Sequence, residues 1–342
     1  MGTLVDAQAG SIKEVTFGTA PGAVTRFLEV LADTSLGWDN MRLEGGGLRS
    51  GASVLRQGRV QAGVGKGEIT IKAELYSKGF GQLLESICGS IAHTLVSGST
   101  FQQRGLAELA TPFRPSYTWQ LGIPRSDASG TIDAYTYSGC VAKSFEIDAP
   151  SRAIPTLSVT FWAASLTTAT GLATASYPAT PTVYGDANSI AGTTFGGTLT
   201  APGTNTLASG GTAANNIRAW NFTGDLTANE RPKLGGWQQP TAGDVLKAFK
   251  LKVTQDYDGV TTRGLQLAPG TATSFTGFYT GAALSSGTER FELDIPSMSL
   301  DDGALPEMTT GEGSVPEPTF TVTSNGTDSA WYLVTRTSDA TL

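Results

Sequence analysis

Only one histidine, His93, and two cysteines, Cys88 and Cys140, occur in 342 residues. A three-histidine metal site within one chain is therefore excluded, and no recognised ligand spacing joins His93 to Cys88 and Cys140. Charged residues are 15% of the chain, few for a soluble domain, and sum formally to -7. That balance argues against a broad phosphate-gripping surface. No apolar run is long enough to span a bilayer, so membrane insertion is not expected. The opening stretch "MGTLVDAQAGSIKEV" lacks the basic-then-apolar order of a signal peptide, and synthesis in the cytoplasm is expected. The two cysteines read as buried thiols rather than a disulfide. Asn-x-Thr at Asn221 and Asn325 means little without secretion.

The motif search is equally thin. "AGVGKG" resembles a phosphate loop superficially, but it lacks the first glycine and the hydroxyl residue after Lys66, and it precedes a strand. "DYDG" at Asp256 to Gly259 reads as a turn, because the rest of a calcium loop is missing. Asp301 and Asp302 before Gly303 also read as an exposed turn. Carboxylates for glycoside hydrolysis are present, but nothing in the sequence selects an acid and a base. The expectation is a protein that is not an enzyme and needs no cofactor.

What is abundant is strand and turn material: 43 glycines, with many Ser, Thr and Ala. In "EITIKAELY", Ile69, Ile71, Ala73 and Leu75 alternate with Glu68, Thr70, Lys72, Glu74 and Tyr76, the period of a half-buried strand. Phe80, Leu83, Leu84 and Ile87 then mark a helical stripe. The pattern predicts a short helix within Ser77 to Ile87, capped by Ser77 and ended by Gly89, covering a sheet face or end. Further strands are expected at Tyr117 to Ile123, Thr131 to Cys140, "KSFEIDA", "TLSVTFWA", "NIRAWNFTGDL", "VLKAFKLKVTQD" and "ERFELDIPSMSL". "TRFLEVLADTSL" fits a strand or a short helix, and its period does not decide. "PTFTVTSNGTDSAWYLVTR" reads as a hairpin turning at "SNGT". Trp162 falls opposite Leu157, Val159 and Phe161, to be covered by a neighbouring subunit or within its own.

The tract Arg42 to Lys66 is glycine-rich and carries Arg42, Arg49, Arg56, Arg59 and Lys66, which suits a long loop or hairpin. Residues 166–214 are rich in Thr, Ala and Gly. They form either a disordered linker or a loose hairpin anchored by Tyr184 and Phe195. One elaborated domain over 1–342 is expected. A faint likeness between "AKSFEID" and "IRAWNFT" leaves open two related halves, about 1–165 and 215–342, joined by a Thr/Gly-rich hairpin region.

The order of "RLEGGGLRSG", "VLRQGRV", "GEITIKAELYSKGFGQLLESICG", "YTYSGCVAKSFEID", "PTLSVTFWA", "NIRAWNFTGDL" and "FELDIPSMSL" resembles the major tail tube protein family of long-tailed, non-contractile bacteriophages. The resemblance implies a mainly β subunit, a β-sandwich or barrel-like fold with a short flanking helix and long loops. It implies six subunits per ring, rings stacked into a tube that conducts double-stranded DNA without binding it tightly, and no catalytic residues. It also implies assembly in the host cytoplasm into the virion tail, with tail terminator, tape measure and distal tail proteins as partners. A tail terminator, a capsid decoration protein or a carbohydrate-binding module is the alternative. On the tube reading, Glu68, Glu74, Glu146, Asp148, Glu292 and Asp294 are candidates for the lumen or an interface, because each alternates with core-facing residues. Arg42, Arg49, Arg56, Arg59 and Lys66 are candidates for contacts between rings.

Overall fold

The computed structural model describes residues 7–46, 54, 57–107, 113–127, 130–179, 181–185, 194–195, 199–210, 217–226, 228–242, 248–256, 272–302 and 317–342. Along the chain come β1 (Gln8–Lys13), β2 (Arg26–Leu28), β3 (Ser35–Asp39) and the hairpin β4 (Arg42–Glu44) with β5 (Val60–Ala62). Then follow β6 (Lys66–Glu74), the helix α1 (Gly81–Cys88), β7 (Ile91–Ser97), β8 (Thr100–Leu106) and β9 (Tyr117–Pro124). Next are β10 (Ile132–Ala149), β11 (Thr156–Ala163), β12 (Ser165–Thr167), β13 (Thr194–Phe195), β14 (Leu199–Thr200) and β15 (Ser209–Gly210). The remaining strands are β16 (Ile217–Asp225), the hairpin β17 (Ala228–Lys233) with β18 (Gly236–Ala242), β19 (Phe249–Gln255), β20 (Thr273–Ala283), β21 (Thr288–Asp302), β22 (Thr319–Val322) and β23 (Tyr332–Thr337). The expected mainly β fold with one short helix is what the chain adopts.

Antiparallel ladders join most of these strands into one barrel-like network around a single apolar cluster. The main path is β3-β6-β11-β10-β16-β19-β22-β21. At β21 it forks to β20-β13 and to β23-β8-β7. The long strand β10 serves two sheets. Its first half lies between β9 and β12, and its second between β11 and β16. Two expected strands are therefore one. The register slips between Tyr137 and Cys140 and again between Ala142 and Ser144. Gly139 takes φ 67 at the slip, where an extra residue bends the strand. Glu14 secures the bend. Its carboxylate accepts from Gly139 N and Thr118 Oγ1, both at 2.8 Å, and from Gly18 N at 2.8 Å.

Period two fixes which residues enter the core. Ile69, Ile71 and Ala73 on β6 meet Phe161, Val159 and Leu157 on β11, all buried. Further round, Phe145, Phe222, Phe249 and Trp331 pack edge to face, tilted or, for Phe222 on Phe249, stacked, with ring centroids 5.4–6.4 Å apart. Such contacts add roughly 0.5–1.5 kcal/mol per pair beyond area burial. Trp162 is covered within its own subunit, stacked on Phe17 and edge-on to Trp237. No neighbouring subunit is needed for it.

The helix closes one end. It buries Leu83, Leu84 and Ile87, and Gly89 ends it at φ 85 with its N–H on Glu85 O. The expected Ser77 cap is not made. Phe80 holds that position without a side-chain bond, while Ser77 exchanges hydrogen bonds with Thr182. A tertiary anchor substitutes for the missing local one. Buried Glu85 takes Lys13 at 2.6 Å and the Tyr117 hydroxyl at 2.8 Å. Arg114, 2% exposed, donates to the Ile87 carbonyl at the helix C-terminus. Burial lowers the Arg114 guanidinium to about 10.

Three further readings are corrected or settled. "TRFLEVLADTSL" contributes strands β2 and β3. "SNGT" does turn, with Asn325 Oδ1 accepting from Thr327 and Asp328, but β22 and β23 are not paired with each other. Both lie along one edge of β21, β22 on Met298–Asp302 and β23 on Arg290–Asp294. The turn is a break between two strands of one edge rather than a reversal. Tyr184 is buried near Tyr279, as an anchor should be, and β14 pairs with β15 in a short hairpin. Strand β13 pairs with β20, and residues 180, 186–193, 196–198 and 211–214 lie outside the described residues.

Close packing of helix on sheet yields a test. A Cβ at Gly105 of β8 would fall against Cys88 Sγ and lie 2.9 Å from its Cβ. Gly105→Ala is expected to cost about 1–3 kcal/mol in urea unfolding. Cys88→Ala, which removes the sulfur, is expected to restore part of that loss in the double variant.

Candidate assembly and channel surfaces

The registers show where the six candidate acids stand. Glu74 aligns with Thr156 and Asp148, and Lys72 with Ser158 and Glu146. Asn221 and Thr223 of β16 and Lys252 and Lys250 of β19 continue these rows. Glu68, Glu74, Glu146 and Asp148 thus share the outer face of β6, β11, β10, β16 and β19, opposite the core. Glu68, Glu146 and Asp148 are exposed and Glu74 is half-buried. This face holds an open groove of about 500 Å³ lined by Lys143, Glu146, Ser158, Thr160, Thr223 and Lys250, among others.

Charge on this face is partly compensated. Lys143 pairs with Glu68 at 2.7 Å, Lys250 with Asp301 at 3.0 Å and Lys252 with Glu317 at 2.5 Å. Lys250 and Lys252 hold the Asp301 and Glu317 carboxyls below the usual carboxylate range. Exposed pairs of this kind contribute little to stability. Among the described residues no ion pair reaches Glu74, Glu146 or Asp148. Glu146 and Asp148 accept from the Asn221 amide at 2.7 and 3.5 Å. Their negative charge is left facing outward.

Glu292 and Asp294 differ. Alternation predicts an open face, and register does place them on the sheet side away from Phe291, Leu293 and Ile295. Both are nevertheless 0% exposed, and the segment around β14 and β15 crosses this face, with Ala208 N on Glu292. As enclosed groups they line no open surface of the subunit. Alternation reports the face of a strand and cannot report what a distant loop lays across it.

Of the basic tract, the described parts form the β4–β5 hairpin and a short 3₁₀ turn, Gln57–Arg59. Arg42 is exposed and pairs with Glu44 at 2.9 Å. Arg59 is exposed. Lys66 pairs with Glu230 on β17 at 2.9 Å, and Trp237 Nε1 donates to Gly65 O at 2.8 Å. The second hairpin, β17–β18, which the sequence reading missed, therefore braces the base of the tract. Its turn, "LGG" after Lys233, was the available signal. Arg49 and Arg56 lie outside the described residues. The exposed Met41, Leu43, Val54 and Leu234 also fall on or beside these hairpins.

No group of three or more metal-ligating side chains exists among the described residues. His93 packs edge-on to Phe101 at 5.2 Å. Cys88 and Cys140 are buried free thiols, and burial pushes the Cys88 thiol up to about 12. No helix of the described residues is long and apolar enough to cross a membrane.

A subunit with a polar outer sheet face and strands β2, β3 and β7, each paired on one edge only among the described residues, suits assembly through its edges. The family profile described as phage tail tube protein matches residues 5–242, more than half of the chain. The chain belongs to that family, whose members are structural components of the virion tail. No curated protein matches the chain significantly.

Because Glu146 and Asp148 are exposed and hold no cation among the described residues, replacing both with Lys is expected to leave folding nearly unchanged. Each substitution should stay within about 0.5 kcal/mol in urea unfolding. A loss of several kcal/mol would mean that they are structural.

Proposed function

We propose that this chain is the repeating subunit of a tail tube. Six copies close into a ring, rings stack head to tail, and double-stranded DNA passes through the lumen at ejection. The observation that carries this reading beyond family membership is the outer sheet face, with Glu74, Glu146 and Asp148 lacking cation partners among the described residues. Such a face, turned inward, repels phosphate and keeps DNA moving. Glu68 belongs to the same face but is balanced by Lys143. Closed rotational symmetry makes edge pairing between subunits finite.

Arg42, Arg49, Arg56, Arg59 and Lys66 are assigned to contacts between rings. The braced position of the β4–β5 hairpin and the exposure of Arg42 and Arg59 support this. Acidic groups on the adjacent ring are the matching partners. Tail terminator, tape measure and distal tail proteins complete the tail, assembled in the host cytoplasm. The whole chain acts as one elaborated domain.

Negative-stain imaging of purified protein tests the reading. Axially striated tubes are expected. Single closed rings would favour a terminator, and persistent monomers under all salt conditions would contradict assembly. Arg42→Glu with Arg59→Glu is expected to shorten or abolish tubes while the subunit unfolds within about 0.5 kcal/mol of the parent. Particles carrying Glu146→Lys and Asp148→Lys should release DNA more slowly at low salt. The delay should shrink as salt rises, because screening weakens the new phosphate contacts.

A further inference from the structure

Beyond β19 the outer face continues across β22 onto β21, and there it is sealed. The segment Leu199–Gly210, closed by the β14–β15 pairing, forms a strap over β7, β8, β21 and β23. Its backbone carbonyls are gripped by side chains of the sheet. Gln102 Nε2 donates to Gly203, Thr204 and Thr206 at 2.9–3.2 Å, and Thr94 Oγ1 to Thr204 at 2.8 Å. Arg336 donates to Asn205 O at 3.2 Å and to Gln102 Oε1 at 3.0 Å. From the strap, Ala208 N donates to Glu292 Oε1 at 2.9 Å.

Under the strap sit two carboxyls with too few partners. Glu292 is paired with Arg290 at 2.5 Å, and the Arg290 guanidinium lies 3.6 Å from the Phe278 ring centre. Asp294 stands two residues along β21 from Glu292, on the same face, and aligns with Thr276 of β20. No well-formed hydrogen bond reaches either Asp294 oxygen or Thr276 Oγ1. The other charged or titratable side chains around this face are Arg336 and Tyr332 on β23 and Arg104 on β8, which lies over the Tyr332 ring. Strands β20 and β7 contribute the neutral Thr276, Phe278 and Thr94, and the strap contributes no titratable group. Arg290 pairs with Glu292 and Arg336 also acts on Glu292, but among the described residues no ion pair reaches Asp294. A negative charge on Asp294 in this enclosed space would have no direct partner and would be costly.

We propose that Asp294 carries a proton, and that this proton latches the strap: closed while Asp294 is protonated, released when it ionises. Release is the cheapest relief, because the strap is held by hydrogen bonds to side chains and its lifting admits water to the new charge. Burial, then the adjacent Glu292, raises the Asp294 carboxyl well above its ordinary range. A raised carboxyl stabilises the closed state fully below the ordinary carboxylate range and loses that contribution as pH rises through the folded value. The strap is therefore tightest in acid. Once open, it uncovers Gln102, Arg290 and Arg336, so the subunit presents a different surface at high pH. This inference does not depend on the tube reading.

The test is hydrogen exchange of the Leu199–Gly210 amides in the full chain from pH 5 to 9, corrected for intrinsic exchange. Protection is expected to fall by up to tenfold per pH unit between the ordinary carboxylate range and the folded Asp294 value, and to level off above it. In Asp294→Asn it is expected to stay high and flat. Flat protection in the parent, or an equal fall in Asp294→Asn, would overturn the latch. Flat protection that rises with added Mg²⁺ would also overturn it and mark a cation site. If Asp294→Asn fails to fold, carbon-detected titration of Asp294 in the parent decides. A midpoint in the ordinary carboxylate range would overturn the proposal, and one well above it would support it.

Discussion

The bend in β10 is the constraint on which the rest of the structure depends. One strand must leave the β9–β12 sheet and enter the β11–β16 sheet without stranding its backbone groups in the core. Gly139 supplies the left-handed conformation, and the Glu14 carboxylate takes the amide that the ladder drops. Because β10 is central to both sheets, this single bend sets the angle at which they enclose one core. The same carboxylate holds Thr118 on β9 and Gly18 beyond β1, so three segments are fixed together.

From that frame the outer face follows. Residues 68, 70, 72 and 74 on β6 and 144, 146 and 148 on β10 have no freedom in which way they point once the core set is chosen. The face is polar throughout its exposed half and sealed where the strap crosses it. Charge on it is graded rather than uniform: compensated at Glu68, Asp301 and Glu317, uncompensated at Glu146 and Asp148, and enclosed at Glu292 and Asp294. On the proposed function all three kinds have a use, since each answers differently to salt and pH.

Much of this was legible in the sequence, for local reasons. Alternation in "EITIKAELY" and "FELDI" and the stripe of Phe80, Leu83, Leu84 and Ile87 are properties of neighbouring residues, and the elements appear where expected. Apart from the local β17–β18 hairpin, the failures are long-range. Ser77 lost its capping role because Thr182, far along the chain, takes its bonds. "SNGT" has hairpin chemistry, yet its flanking strands find β21 rather than each other. Glu292 and Asp294 alternate like surface residues, yet a segment more than eighty residues earlier crosses their face. Trp162 posed the converse problem: its cover, Phe17 and Trp237, comes from both directions along the chain.

The central claim is that the outer face of β6, β11, β10, β16 and β19 lines the channel of a tube built from this chain. Helical reconstruction of assembled tubes at side-chain resolution tests it most directly. The account predicts Glu146 and Asp148 on the lumen wall in every ring. Tubes in which both residues point to the outside, or are buried between rings, would contradict it.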